Sequence, residues 1–304
     1  MPTSPDKQQF KVQDLVLKVR TDCDRTKWNE DHYEQYFDIL CGDREYQKEA
    51  IRASLRYVLG GEYENLRDLA KENWEKNPYL EDRYGKWSNC EKHLQFPDKL
   101  SASIDLATGT GKSYVLYGIA TILLAEGAVD RVLVLCPSTT IESSLYDKFK
   151  LMAGNAELIN ALPPEAKLRV PKIIQATETI TQGCICVENR DAVYAHVKSS
   201  IEDSLWGKGS QVAVLNDEVH HVANDPATKV TKWKEFLEHP EYGFKIVLGF
   251  SGTCYVDNNY FSDVIYRYSL RQAIEERFVK KVKYLTEVEV VGEEDEFWQL
   301  QSDI

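Results

Sequence analysis

No run in the chain approaches the roughly 20 consecutive apolar residues of a membrane-spanning helix. The first nine residues, Met-Pro-Thr-Ser-Pro-Asp-Lys-Gln-Gln, hold no apolar stretch of the signal-peptide kind. A cytoplasmic protein with no membrane partner is therefore expected. Positive charge is short as well: 37 Lys and Arg stand against 49 Asp and Glu, for a formal charge of −12. Nucleic-acid affinity depends on cations that neutralise phosphates, so this balance argues against strong, unaided binding while leaving room for a local groove. Internal repeats and low-complexity tracts are absent. The seven cysteines are scattered and odd in number, which excludes a disulfide framework. Cys184 and Cys186 share a strand-like pattern and read as buried thiols, because no second Cys or His pair stands at zinc-site spacing. His220 and His221 have no close third ligand, so zinc is not expected there either.

What is present is 304 residues, 43% of them hydrophobic, enough to bury one sizeable core with an appended lobe. Residues 104–113 read Ile-Asp-Leu-Ala-Thr-Gly-Thr-Gly-Lys-Ser, a short strand running into a glycine loop. Gly109 and Gly111, flanked by Thr108 and Thr110, let the backbone turn tightly and aim several N–H groups at one anion. Lys112 reaches the outer phosphates of a nucleotide as a point charge, and Ser113 offers a hydroxyl to Mg²⁺. The apolar segment 114–125 suits a buried helix whose N-terminus adds partial positive charge. One departure is Leu106, which stands where the usual loop pattern opens with glycine.

From Ile104 onward, short apolar runs alternate with helical patterns: 131–136, 170–176, 184–187, 212–216 and 245–250. This alternation predicts an α/β fold with a mostly parallel sheet covered on both faces, where ligands sit at the carboxyl ends of strands. Residues 1–42 read as a helical lead-in and 43–284 as the nucleotide-binding domain. Within that domain, a charged, aromatic-rich helical insertion occupies about 60–100, ahead of the loop. Residues after Tyr284 read as one alternating strand and an acidic stretch, so 285–304 is taken as a linker.

A second signal lies at the end of the run Val212-Ala-Val-Leu-Asn-Asp-Glu-Val-His. The strand delivers two adjacent carboxylates that diverge at its end. Asp217 suits the metal, together with Ser113, and Glu218 suits orienting and deprotonating an attacking water. His220 is expected to reach the next strand end, where Ser251 and Thr253 flank a glycine. Gln47, on an amphipathic helix before the loop, has an amide that matches the N6/N7 edge of adenine.

Gln47, the segment Ala107–Ser113, Cys136-Pro-Ser, Asp217-Glu-Val-His and Ser251-Gly-Thr stand in an order that resembles the superfamily 2 helicases. The stretches Leu133–Ser138, Asn216–His221 and Tyr266–Lys280 resemble, more narrowly, the helicase subunit of type III restriction enzymes and related phage-defence proteins. The resemblance implies a RecA-like lobe, with ATP and Mg²⁺ as cofactors and hydrolysis coupled to movement along nucleic acid, DNA ahead of RNA. It also implies that Lys112, Asp217, Glu218 and His220 act in catalysis and that Ser251 and Thr253 couple hydrolysis to strand binding. Pro137, Ser138 and Thr139 would contact the nucleic-acid backbone, as would the segment near Val187-Glu-Asn. Such motors clamp ATP against a second RecA-like lobe or partner subunit that supplies arginines. Arg267, Arg271 and Arg277 do not match that motif. The chain is expected to be the N-terminal lobe of a truncated or split helicase, with weak turnover of its own. A stand-alone ATP-binding switch that needs a partner is the alternative.

Overall fold

The computed structural model describes residues 11–193, 199–220, 232–256 and 259–280. His221 and the segment after Tyr284 lie outside the described residues. In chain order, helices α1 (Glu34–Cys41) and α2 (Glu45–Leu59) come first. Helices α3 (Leu66–Lys76), α4 (Pro78–Tyr84) and α5 (Trp87–Lys92) follow in the stretch before the glycine loop. Strand β1 (Leu100–Leu106) leads to helix α6 (Lys112–Ala125), and β2 (Arg131–Cys136) to α7 (Thr139–Ala153) and α8 (Ala156–Ala161). Next come β3 (Lys172–Ile174), β4 (Cys184–Asn189), α9 (Ile201–Leu205), β5 (Val212–Asp217) and α10 (Lys232–Glu238). The described chain closes with β6 (Ile246–Ser251), the short hairpin strands β7 (Tyr255–Val256) and β8 (Asn259–Tyr260), β9 (Val264–Tyr268) and α11 (Leu270–Glu275).

Seven of these strands form one sheet in the order β3-β4-β2-β5-β6-β1-β9, and every pairing in it is parallel. The fold is therefore the expected α/β RecA-like one. Helix α6 is buried along nearly its whole length, as an all-round apolar helix must be. It lies between α2 and α7 on one face of the sheet. Among the described residues, no helix is long and apolar enough to cross a membrane.

Strands β1, β3 and β9 differ from the sequence expectation. Strand β3 shrinks to Lys172–Ile174 because Pro171 cannot donate to a ladder and β3 sits at the sheet edge. Strand β1 begins at Leu100, four residues before its apolar run, because its polar residues are all partnered. Ser101, Ser103 and Asp105 alternate onto one face. Ser101 Oγ donates to the Phe96 carbonyl at 2.8 Å and Ser103 Oγ to Asp263 Oδ2 at 3.2 Å. Strand β9, which apolar patterning does not announce, pairs with the outer side of β1.

The lead-in is pinned to α2 by charge. Arg52 reaches Glu34 at 2.8 Å, Glu45 at 2.8 Å and Glu49 at 2.7 Å, while Arg56 reaches Glu30 at 2.7 Å. Both guanidiniums are mostly covered, so these pairs are screened less than open surface pairs.

Asp263 is a cost built into this core. It is 3% exposed, and its Oδ1 has no hydrogen-bond partner among the described residues. Burial pushes its carboxyl from 3.8 up to about 6. A raised folded-state pKa means that this residue's contribution to stability is fully present below the ordinary value and is lost as pH rises through about 6. Asp263→Asn is thus expected to stabilise the protein near pH 8 by up to about 3 kcal/mol. Urea unfolding should show the difference vanish near pH 4.

Candidate nucleotide site

Strand β6 lies between β1 and β5, so three strand ends stand in a row. Asp105 is the Cα partner of Ser251, and Asp217 that of Phe250. At about 4.8 Å per strand, the ends of β1 and β5 are roughly 10 Å apart, with the end of β6 between them. Residues far apart in sequence thereby share one site.

The glycine loop leaves β1 with Gly109 at φ +83° and Gly111 at φ +79°, and Gly111 is the residue that caps α6. A side chain at 111 would also place its Cβ 2.6 Å from Gln47 Nε2. Thr108 and Gly109 are exposed, while Thr110 is buried and its hydroxyl donates to the Ala107 carbonyl at 2.6 Å. The Thr110 carbonyl in turn accepts from Gln47 Nε2 at 2.7 Å and from the Tyr46 hydroxyl at 3.0 Å. Gln47 is 1% exposed, and its Oε1 has no partner among the described residues. One N–H of its amide thus holds the loop, and the acceptor oxygen is left for a ligand.

At the end of β5, Glu218 adopts a left-handed backbone, φ +55°, which costs a non-glycine residue about 1–2 kcal/mol. Its Oε1 pairs with the Lys112 ammonium, and its Oε2 accepts from Ser251 Oγ at 3.2 Å and lies 3.3 Å from His220 Nδ1. His220 Nδ1 is 2.7 Å from Ser251 Oγ and 3.3 Å from Thr253 Oγ1. The loop lysine, the second carboxylate, the histidine and both hydroxyls thus form one connected set.

The two carboxylates differ in acidity. Burial pushes Asp217 up to about 6, against the pull of Lys112 and with the repulsion of Glu218. Burial also acts upward on Glu218, but the His220 contact and Lys112 more than offset it and hold the carboxyl at about 2. Asp217 is 6% exposed, and its Oδ1 has no hydrogen-bond partner among the described residues. A buried acceptor in that condition suits a cation ligand. Ser113, also buried, is the second residue of α6.

Pro137, Ser138 and Thr139 stand apart from this set, at the carboxyl end of β2, one strand beyond β5. Ser138 and Thr139 are exposed, and Ser138 caps α7 by accepting from the Ile141 amide at 3.4 Å. Glu188 and Asn189 are committed to the protein's own framework. Glu188 accepts from the Ala176 amide at 2.9 Å, and Asn189 Nδ2 donates to Glu142 at 2.6 Å.

Two neighbours of the loop escaped sequence reasoning. One is Tyr46, whose ring stacks on Tyr268 at 4.0 Å. The other is Gly252, where an added Cβ would stand 2.9 Å from the Thr108 amide nitrogen and 3.0 Å from the Leu106 carbonyl oxygen. The turn after β6 therefore lies directly against the glycine loop. Gly252→Ala is expected to cost about 1–3 kcal/mol in urea unfolding, as overpacking against backbone does. Gly154→Ala is the control: its nearest contact would be 3.5 Å away, and the expected change is within about 0.5 kcal/mol.

Comparison with known proteins fits this geometry. No curated protein sequence matches the chain. A solved structure, the UvsW helicase from bacteriophage T4, aligns at 14% identity with a TM-score of 0.34. The alignment covers 63% of this chain and 59% of that one, so the chain spans less than two thirds of that helicase. The family described as type III restriction enzyme, res subunit matches residues 41–256, which takes in the glycine loop, the paired carboxylates and the Ser251–Thr253 turn. The chain therefore belongs to the type III restriction enzyme res-subunit family.

Proposed function

We propose that this lobe binds ATP with Mg²⁺ and hydrolyses it in the service of movement along DNA. The supporting observation is the connected set Lys112, Glu218, His220, Ser251 and Thr253 at three neighbouring strand ends. Backbone N–H groups of Thr108, Gly109 and Gly111 receive the phosphates, and the N-terminus of α6 adds its partial charge. The Asp217 carboxylate and the Ser113 hydroxyl would hold Mg²⁺, which when bound neutralises phosphate charge. The orphaned Asp217 Oδ1 fits that role. Gln47 Oε1 is the acceptor left for the adenine amino group.

Glu218 orients and deprotonates the attacking water. While paired with Lys112 and His220 it is a poor base, with its carboxyl near 2. A polyphosphate that enters the loop competes for Lys112 and so loosens the restraint on Glu218. His220 joins Glu218 to the Ser251 and Thr253 hydroxyls, a route by which hydrolysis and strand binding are coupled.

Pro137, Ser138 and Thr139 present small polar groups and a helix N-terminus suited to sequence-blind phosphate contacts. The excess of acidic residues makes those contacts weak by themselves. The arginines that stabilise charge during phosphoryl transfer come from a second RecA-like lobe or a partner subunit, as in a restriction or phage-defence assembly. Without them the rate is expected to fall on the order of 10³-fold or more. A cytoplasmic setting is supported by seven unpaired thiols.

Lys112→Ala is expected to abolish nucleotide binding, measured with a fluorescent ATP analogue. Glu218→Gln should keep binding and lower single-turnover hydrolysis by about 10²–10⁴-fold. Equal loss of binding in both variants would refute the division of roles.

A further inference from the structure

Asp105 stands in a strand flanked on both sides by other strands, one residue before the end of β1, and its side chain makes no hydrogen bond to the site's side chains among the described residues. The Tyr260 hydroxyl donates to its Oδ2 at 2.9 Å, and Arg267 Nε donates to the same oxygen at 3.1 Å. The Arg267 guanidinium also lies 6.0 Å from the centre of the Tyr260 ring. The three groups come from β1, β8 and β9, and the Asp105 side chain is only 7% exposed.

The backbone gives this cluster a direction. Asp105 is the Cα partner of Ser251 on one side and of Arg267 on the other. Beyond Ser251 the chain runs through Gly252, Thr253 and Cys254 into the β7–β8 hairpin. The Tyr255 amide donates to the Thr253 carbonyl at 2.8 Å, and the Phe261 amide to the Cys254 carbonyl at 3.0 Å. The Tyr255 and Tyr260 rings meet at 5.1 Å. The turn that carries Ser251 and Thr253 is thus tied to β1 twice, on entry by the strand ladder and on exit by the Tyr260 hydroxyl.

We propose that Asp105, Tyr260 and Arg267 are positioning residues, a latch that holds the Ser251 and Thr253 hydroxyls in register with His220 and Glu218. The claim deepens the ATPase reading above and rests on it for its catalytic consequence. A buried pair whose work ended with neutralising its own charge would be equally well served by any well-packed replacement. A latch requires the Tyr260 hydroxyl in particular, because among the described residues that atom makes the hairpin's direct hydrogen bond to Asp105.

The test compares wild type with Tyr260→Phe, which keeps the ring, and Arg267→Lys, which keeps the charge. In hydrogen exchange, Tyr260→Phe should raise the rates of the Thr253 and Phe261 amides by about tenfold while those within α6 stay unchanged. In ATPase assays with single-stranded DNA, Tyr260→Phe should lower kcat by about tenfold with KM for ATP within about twofold, and Arg267→Lys should retain most of the rate. Unchanged exchange at Thr253 and Phe261 would overturn the latch. Faster exchange with unchanged kcat would overturn its positioning role. A wild type that binds no ATP, beside a Tyr260→Phe variant with faster exchange, would overturn the ATPase reading while supporting the latch.

Discussion

The placement of β6 between β1 and β5 is the constraint on which the site depends. The chain leaves β1, passes through α6 and lays down β2 three positions away, and only later do β5 and β6 fill the gap. Until β6 is in place, the glycine loop and the paired carboxylates belong to strands that do not touch. Once it is, Lys112 and Glu218 come within ion-pair reach and Ser251 sits between them. The same strand pushes the turn at Gly252 against the loop backbone, so the coupling hydroxyls and the phosphate cradle share a wall.

Within that frame, two adjacent carboxylates acquire opposite characters because the strand ends between them. Asp217 still lies in the ladder and is buried, so it is reluctant to ionise. Glu218 has left the ladder through a left-handed residue and points toward an ammonium and an imidazole, so it ionises readily. Pairs whose environments drive their pKa values apart are the usual mark of divided roles in a site. Here the division follows from one backbone dihedral angle.

The glycine loop, the Asp-Glu pair and the Ser-Gly-Thr turn were legible in the sequence because each breaks an apolar run at a strand end. The parallel sheet was legible because runs buried on both faces need few polar residues. Strand β1 shows why the rest was harder. Ser101 and Ser103 are polar, and only the tertiary partners Phe96 and Asp263 make them acceptable in a core strand. Asp105 falls inside the loop motif with nothing in its local pattern to give it a role; the clue is a lone carboxylate inside a buried strand. Its partners Tyr260 and Arg267 lie more than 150 residues away in sequence, beyond the reach of any local pattern. Gln47 carried the right chemistry for a base contact, but its spacing could not reveal that one N–H of its amide would be spent on Thr110.

The two donors on the Thr110 carbonyl reach further than the loop. Tyr46 and Gln47 sit in the first turn of α2, a helix of 15 residues that extends about 22 Å at 1.5 Å per residue. Its far half carries Arg52 and Arg56, which grip Glu34 and Glu30 of the lead-in. Loop, helix and lead-in are thus joined end to end along one buried helix that also packs on α6 and β9. The residues that hold the phosphate cradle and those that grip the outer surface of the lead-in therefore share a single rigid element.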